Sequence, residues 1–250
     1  VPYETLTIER DGDGTALLWI DRPEKLNAMD PTFFAELPRA LAELDADAGV
    51  DVCVLSGRGR AFSAGGDIAS FDALADVDAY RRHLRLVYDA FHSVERCQVP
   101  VIGAVNGIAY GGGTELTLAC DLVVASSEAR FAFREASVGL MPGYGVVRGP
   151  DVIGRHWTRW LALTGDIIDA HEAHRIGLVQ RVVEPDALLV EARAVAARIR
   201  ANAPLAVAAG KQFINRATGS GFAESVEATA LLFTTAEHKR RIRAFLDRRR

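Results

Sequence analysis

Apolar and polar positions along the chain fall into two kinds of pattern. Residues 52–55 and Val101–Val105 are short apolar runs of the kind that forms strands buried on both faces, and 122–125 and 131–133 are further short strands. Residues 3–10 alternate and are rich in Thr and Ile. Asp11-Gly12-Asp13-Gly14 then supplies a turn, and 16–20 returns as a second strand. Asp30-Pro31 opens a helix, with Asp30 as its cap and proline at its first position; the helix runs to about residue 47, and Pro38 bends it. Val77–Arg96 repeats with helical period. Glycine-rich stretches follow the strands at 57–66 and after Val105, the second leading into a helix from about Gly112. From residue 151 onward helices dominate, interrupted by a strand at 178–183. Strand, loop and helix alternate, which predicts an α/β core over residues 1–184 and an appended helical region over 185–250.

A chain of 250 residues, 49% hydrophobic and 25% charged, can bury a sizeable core without disulfides or metal. Its net charge of -4 gives no general attraction to nucleic acid or an anionic membrane, and no apolar run is long enough to span a bilayer. Cys53, Cys97 and Cys120 are widely spaced, and the histidines lack metal-ligand spacing, so no metal is expected and a reduced, cytoplasmic compartment fits best. His171 and His174 share a helical face but have no third ligand nearby. The basic segment 238–250 carries Ile242, Phe245 and Leu246 at helical spacing, which reads as a terminal helix with one packed face and solvated arginines rather than a nucleic-acid site. Arg81, Arg82 and Arg85 read as solvated helix charges or as ligand contacts.

Three segments carry chemistry. Small residues crowd residues 59–68, where a ligand can approach the backbone and reach its N–H groups. Gly111-Gly112-Gly113 lies between a buried strand and a helix, whose N-terminus offers unpaired N–H groups and partial positive charge to an anionic oxygen. No Gly-Lys-Ser/Thr follows, so this is not a nucleotide-phosphate loop of the Walker kind. Glu115 sits in the first turn of that helix, as a catalytic group or simply as a helix-end carboxylate. Glu135 follows a short strand and precedes a Gly/Pro loop, where a solvated charge is the alternative to catalysis.

In this order and spacing the segments resemble the enoyl-CoA hydratase/isomerase (crotonase) family. The resemblance begins at Arg22-Pro23-Glu24-Lys25-Leu26-Asn27-Ala28-Met29 and continues through Ala61-Phe62-Ser63-Ala64-Gly65-Gly66-Asp67. It is strongest from Val105-Asn106-Gly107 through Gly113-Thr114-Glu115 to Asp121-Leu122, and it extends over 133–143 and 170–183. It implies an α/β spiral of strand–strand–helix units with C-terminal helices that build a homotrimer or a hexamer. It also implies an acyl-CoA thioester substrate and no cofactor, coenzyme A being part of the substrate. Glu115 and Glu135 would be the catalytic carboxylates of a 2-enoyl-CoA hydratase, and the N–H groups of Ala64 and Gly112 its oxyanion hole. Lys25, Leu26, Ala28, Ala61, Gly65, Gly66, Asp67, Ile68, Gly111, Pro142 and Tyr144 would meet the substrate. A double-bond isomerase and a non-catalytic acyl-CoA binder are the alternatives. Isomerases of the family usually keep only the second glutamate, which favours the hydratase. The chain departs from the family after Pro142: the bulky Tyr144 stands where hydratases have a small residue, so Met141 and Tyr144 are expected to shape the acyl pocket.

Overall fold

The computed structural model describes residues 2–72, 74–216, 226–227, 230 and 233–247. Two strands open the chain as an antiparallel hairpin, β1 (Leu6–Arg10) and β2 (Thr15–Ile20). Helix α1 (Pro31–Ala46) follows, capped by the Asp30 carboxylate, which accepts from Phe33 N at 2.9 Å. Next come β3 (Val52–Gly57), β4 (Ala61–Ser63), the short α2 (Ile68–Asp72) and the long α3 (Val77–Arg96). The pattern recurs as β5 (Val101–Val105), β6 (Ile108–Tyr110) and α4 (Gly112–Ala119), then as β7 (Leu122–Ser126), β8 (Arg130–Ala132), α5 (Gly145–Val152) and α6 (Gly154–Thr164). The chain continues through β9 (Ile168–Asp169), α7 (Ala170–Arg175), β10 (Arg181–Val183), α8 (Leu188–Arg200), α9 (Pro204–Arg216) and α10 (Ala236–Asp247).

Each turn of the chain places one strand in a six-stranded sheet, ordered β1-β2-β3-β5-β7-β10, and the next in a four-stranded sheet, ordered β4-β6-β8-β9. The pairs from β2 through β10 are parallel in the first sheet, and β4, β6 and β8 are parallel in the second. This is the crotonase spiral. Successive residues of a strand point to opposite faces, and both faces of the first sheet are covered. Leu18, Cys53, Leu55 and Val101 face the core beneath α1 and α3. Their neighbours Leu17, Val52, Val54 and Ile102 meet Leu188, Ala192, Val195 and Ala196 of α8. That two-sided burial is why β3 and β5 read as continuous apolar runs. The helical region beginning at residue 185 therefore opens with a helix that completes the sheet's own packing.

Helix α9 is fastened differently. Its buried Lys211 donates to Val94 O at 2.9 Å and Val99 O at 3.2 Å and pairs with Asp121 at 2.7 Å. Leu205, Phe213 and Ile214 on the same helix are 84%, 70% and 73% exposed. In α10, His238 and Ile242 are buried. Phe222, Leu231, Leu232 and 248–250 lie outside the described residues.

The cysteines are free thiols. Cys53 and Cys97 are buried, Cys120 is half-buried, and Cys97 Sγ donates to Asp45 at 3.0 Å. The strand expected over 178–183 begins only at Arg181, because Leu178 and Val179 N both donate back to Ala173 O at the end of α7. Among the described residues no helix is long and apolar enough to cross a membrane, and no cluster of His, Cys, Asp and Glu could hold a metal ion.

Candidate active site

The site is built where the ends of β4 and β6 meet α4. Met29 N donates to Gly65 O and Met29 O accepts from Asp67 N, both at 2.8 Å, forming a parallel bridge to Gly66. In such a bridge the flanking residues make the bonds, so the Gly66 N–H faces the other way. The position a Cβ would take on Gly112 lies 3.6 Å from Gly66 N and 2.8 Å from Met29 Cε, so this amide nitrogen stands beside the start of α4. Gly112 is the first residue of α4, where a backbone N–H has no partner within the helix. The preceding Gly111 has φ +52, a left-handed conformation that turns the chain from β6 into α4. A Cβ there would also lie 2.8 Å from Glu135 Oε1.

Ala64 occupies a different role from the one the sequence suggests. Its N–H donates to Leu26 O at 2.9 Å, so it is already satisfied within the protein. Gly66, two residues on, has an N–H without a partner among the described residues, because the Met29 bridge engages its neighbours Gly65 and Asp67 instead.

Glu115 lies one turn into α4 and is buried. Its Oε1 accepts from Tyr144 N at 2.9 Å and Gly145 N at 2.8 Å, the first N–H groups of α5. Burial raises its pKa to about 7 against the lowering effect of those two donors. Glu135 starts a short 3₁₀ turn after β8. Its Oε2 is buried without a hydrogen-bond partner among the described residues. Burial first, and then repulsion from Glu115, pushes Glu135 well above the usual carboxylate range. The two carboxyl groups therefore differ by environment: one is braced as an anion, the other is held as an acid.

Both glutamates, Gly66 and Gly112 line one cavity of about 860 Å³. Leu26, Ala64 and Ile68 also line it, as does Met141. Much of the remaining wall is one face of α3, formed by His83, Leu84, Val87, Tyr88 and Phe91, with Phe34, Phe71 and Phe233 beside it. Residues 71–85, the stretch the sequence suggests for the acyl pocket, reach this helix only as far as His83 and Leu84; the same face continues to Val87 and Phe91, which recur four apart with His83. Arg81 pairs instead with Asp78 and with Glu227.

The other residues expected to touch substrate are not among those that line this cavity. Asp67 pairs with Arg22 and Lys25, each at 3.6 Å. Ala28 O accepts from Arg22 Nη1 at 2.5 Å, and Ala61 O accepts from Asn27 Nδ2 at 2.7 Å. Gly65 and Gly111 set turns, and Pro142 O accepts from Val146 N at 2.9 Å. The Tyr144 side chain is fully buried beneath the cavity rather than lining it. Its ring packs against Phe91, and its hydroxyl donates to Glu95 at 2.5 Å. Arg148 Nε and Nη2 bind the two oxygens of the same Glu95 carboxylate at 2.5 and 2.6 Å. His174 Nδ1 lies 2.7 Å from Val179 O, away from the site.

Two buried carboxyl groups and two glycine amides on one cavity, carried on this spiral, define a crotonase-fold enzyme. The chain belongs to the enoyl-CoA hydratase/isomerase family, whose profile matches residues 10–250. It is 37% identical to the crotonyl-CoA hydratase of Syntrophomonas wolfei, over 99% of this chain and 97% of the relative. It is 36% identical to the short-chain-enoyl-CoA hydratase of Clostridium acetobutylicum, over 97% and 95% respectively. The crystal structure of an enoyl-CoA hydratase/isomerase from Xanthobacter autotrophicus Py2 matches with a TM-score of 0.90 at 30% identity, covering 100% of this chain and 99% of that one.

Proposed function

We propose that the protein is an enoyl-CoA hydratase that adds water across the double bond of a trans-2-enoyl-CoA to give a 3-hydroxyacyl-CoA. The observation that carries this reading is the contrast between the two glutamates on one cavity. Glu115, braced by two N–H donors and titrating near 7, is available as the base. It positions water and removes its proton as the oxygen attacks C3. Glu135, pushed further up and without a donor on Oε2, holds the proton that C2 receives. Negative charge develops on the thioester oxygen between these steps, and the N–H groups of Gly66 and Gly112 are its donors. Losing one such donor costs about 3 kcal/mol of transition-state stabilisation. The names of the relatives support the same reading. No cofactor enters the scheme beyond the coenzyme A that the substrate carries.

The test is a substrate panel. Crotonyl-CoA and trans-2-octenoyl-CoA should lose their enoyl-thioester absorbance with the wild type. Glu135→Gln should keep acyl-CoA affinity and lower the rate by roughly two or more orders of magnitude. Conversion of 3-enoyl-CoA alone would establish an isomerase, and binding without turnover would leave an acyl-CoA carrier. Near-normal hydration by Glu135→Gln would remove that residue from the mechanism.

A further inference from the structure

Among the polar side chains that line the cavity and that the proposed reaction does not use, His83 stands within its apolar wall. His83 is 7% exposed and lines the cavity from the first half of α3. Its ring meets Phe34 edge-on at 5.9 Å and Phe71 edge-on at 5.3 Å. Neither ring nitrogen has a hydrogen-bond partner among the described residues. This is unlike His238, whose Nδ1 lies 2.8 Å from Val138 O, and His174, bound to Val179 O. The only influence on His83 titration is burial, which pushes its pKa down to about 4. The imidazole is therefore neutral at physiological pH and presents one donor and one acceptor nitrogen.

The ring nitrogens of His83 are not among the fully buried side-chain atoms that lack a partner, so they open on the cavity, where a bound ligand can reach them. The neighbours show what packing alone selects here: Leu84, Val87, Tyr88 and Phe91 continue the same face, and Phe71 packs on to Phe233 at 5.3 Å. Position matters as well. Phe71 Cζ lies 2.6 Å from where a Gly66 Cβ would be, so the ring that touches His83 also packs on Gly66. Phe91, eight residues on, packs against Tyr144, whose N–H holds Glu115. On an α-helix eight residues span about 12 Å. His83 is thus displaced along α3 from the ring that packs on Tyr144, and the Phe71 ring stands between it and Gly66.

We propose that His83 is a specificity-determining residue that hydrogen-bonds an oxygen on the acyl chain, so that the preferred ligands are acyl-CoA thioesters bearing a hydroxyl group several carbons beyond C3. A hydroxyl both donates and accepts and so can engage either nitrogen of a neutral imidazole. A carboxylate fits poorly, because its charge would lie against the apolar rings packed on this imidazole, Phe34 and Phe71. The proposal rests on the acyl-CoA reading of the cavity, and binding is measured so that the two can fail separately.

Calorimetric affinities of the wild type, His83→Leu and His83→Gln would be compared for octanoyl-CoA and its hydroxylated relatives, with the hydroxyl at C5, C6, C7 or C8. Hydration of trans-2-octenoyl-CoA would be followed in parallel. At least one hydroxylated thioester should bind the wild type about tenfold or more tightly than octanoyl-CoA does. His83→Leu should abolish that preference while binding octanoyl-CoA as well or better, and His83→Gln should retain part of it. Equal affinity for all five thioesters in the wild type would overturn the proposal, and so would a preference that survives in His83→Leu. If His83→Leu does not fold, a preference reduced in His83→Gln supports the proposal, and a preference equal to that of the wild type rejects it. Selective binding without hydration of octenoyl-CoA would sustain the His83 assignment and remove the hydratase reading. Binding of none of these thioesters would remove both.

Discussion

At the scale of single residues, the site trades stability for a usable proton. Glu115 has a folded-state pKa of about 7 against 4.5 for a free glutamate. The folded state therefore binds more protons than the unfolded state between those values, and stability falls as pH rises through the interval. The penalty is fully present above about pH 7 and absent below about pH 4. Glu115→Gln keeps an oxygen to accept from Tyr144 N and Gly145 N but cannot ionise. It should raise thermal stability at pH 8, by on the order of 2–3 kcal/mol, and lose that advantage near pH 4, while hydration is abolished. Melting curves of both proteins at the two pH values check this; an equal gain at both would reject the linkage. The same groups fix the pH dependence of kcat/KM. The rate should fall as Glu115 is protonated below about pH 7, and fall again at higher pH as Glu135 loses its proton. Glu135→Gln should keep the acid limb and lose the alkaline one.

At the scale of elements, α5 is the brace of the site, and Glu95 on α3 is what holds it. Arg148 and the Tyr144 hydroxyl both bind the Glu95 carboxylate, and the α5 N-terminus in turn holds Glu115. Tyr144→Phe removes one of these ties and leaves the Glu95–Arg148 pair. If looser N–H donors stabilise the Glu115 anion less, the acid limb of kcat/KM should move to higher pH with KM little changed; an unmoved limb would make Tyr144 merely a packing residue. Much of this arrangement was legible in the sequence where patterns are long. Val77–Arg96 has twenty residues of helical period, Val101–Val105 is an uninterrupted apolar run, and the Asp30 cap was explicit. The three-residue strands β4 and β6 are too short for periodicity to register, so 57–66 read as loop only. The inward N–H was placed at Ala64 rather than Gly66 because a run of small residues does not reveal which amide a distant Met29 will turn inward. Tyr144 looked like a pocket residue because its size was visible and its partner Glu95, forty-nine positions away, was not. A side chain at the Gly111-Gly112 turn meets two obstacles, a backbone conformation that only glycine tolerates and close approach to the bound thioester. The structure assigns the backbone obstacle to Gly111, the residue with positive φ, and leaves close approach to Gly112. Gly112→Val should fold, since the nearest atom is the flexible end of Met29, yet lose hydration. A folded, fully active Gly112→Val would withdraw Gly112 from the oxyanion hole.

At the scale of the molecule, the exposed face of α9 is out of keeping with the rest of the surface. Leu205, Phe213 and Ile214 present large apolar side chains on a helix whose opposite side is bolted to the core by Lys211. Trp160 and Leu163 on α6 are 54% and 77% exposed. Burial against neighbouring subunits, as a trimer or a pair of trimers, would account for such a surface. Light scattering at micromolar concentration should give a mass three or six times that of one chain. Phe213→Asp combined with Ile214→Asp should lower it, and a monomeric wild type would exclude the assembly.

The buried Lys211 also sets a clock. Its charge is felt by Cys53, Cys97 and Cys120 together, and burial pushes the Cys53 thiol up to about 12 and the other two further in the same direction. Thiols in that state do not react with alkylating reagents until the protein opens and the thiolate can form. Lifting α9 away would expose the end of α3 at Cys97 while leaving Cys53 inside its sheet, whereas complete unfolding would release all three. The order in which a coloured thiol reagent is consumed therefore distinguishes a peeling helix from a dissolving core, with no label added to the protein.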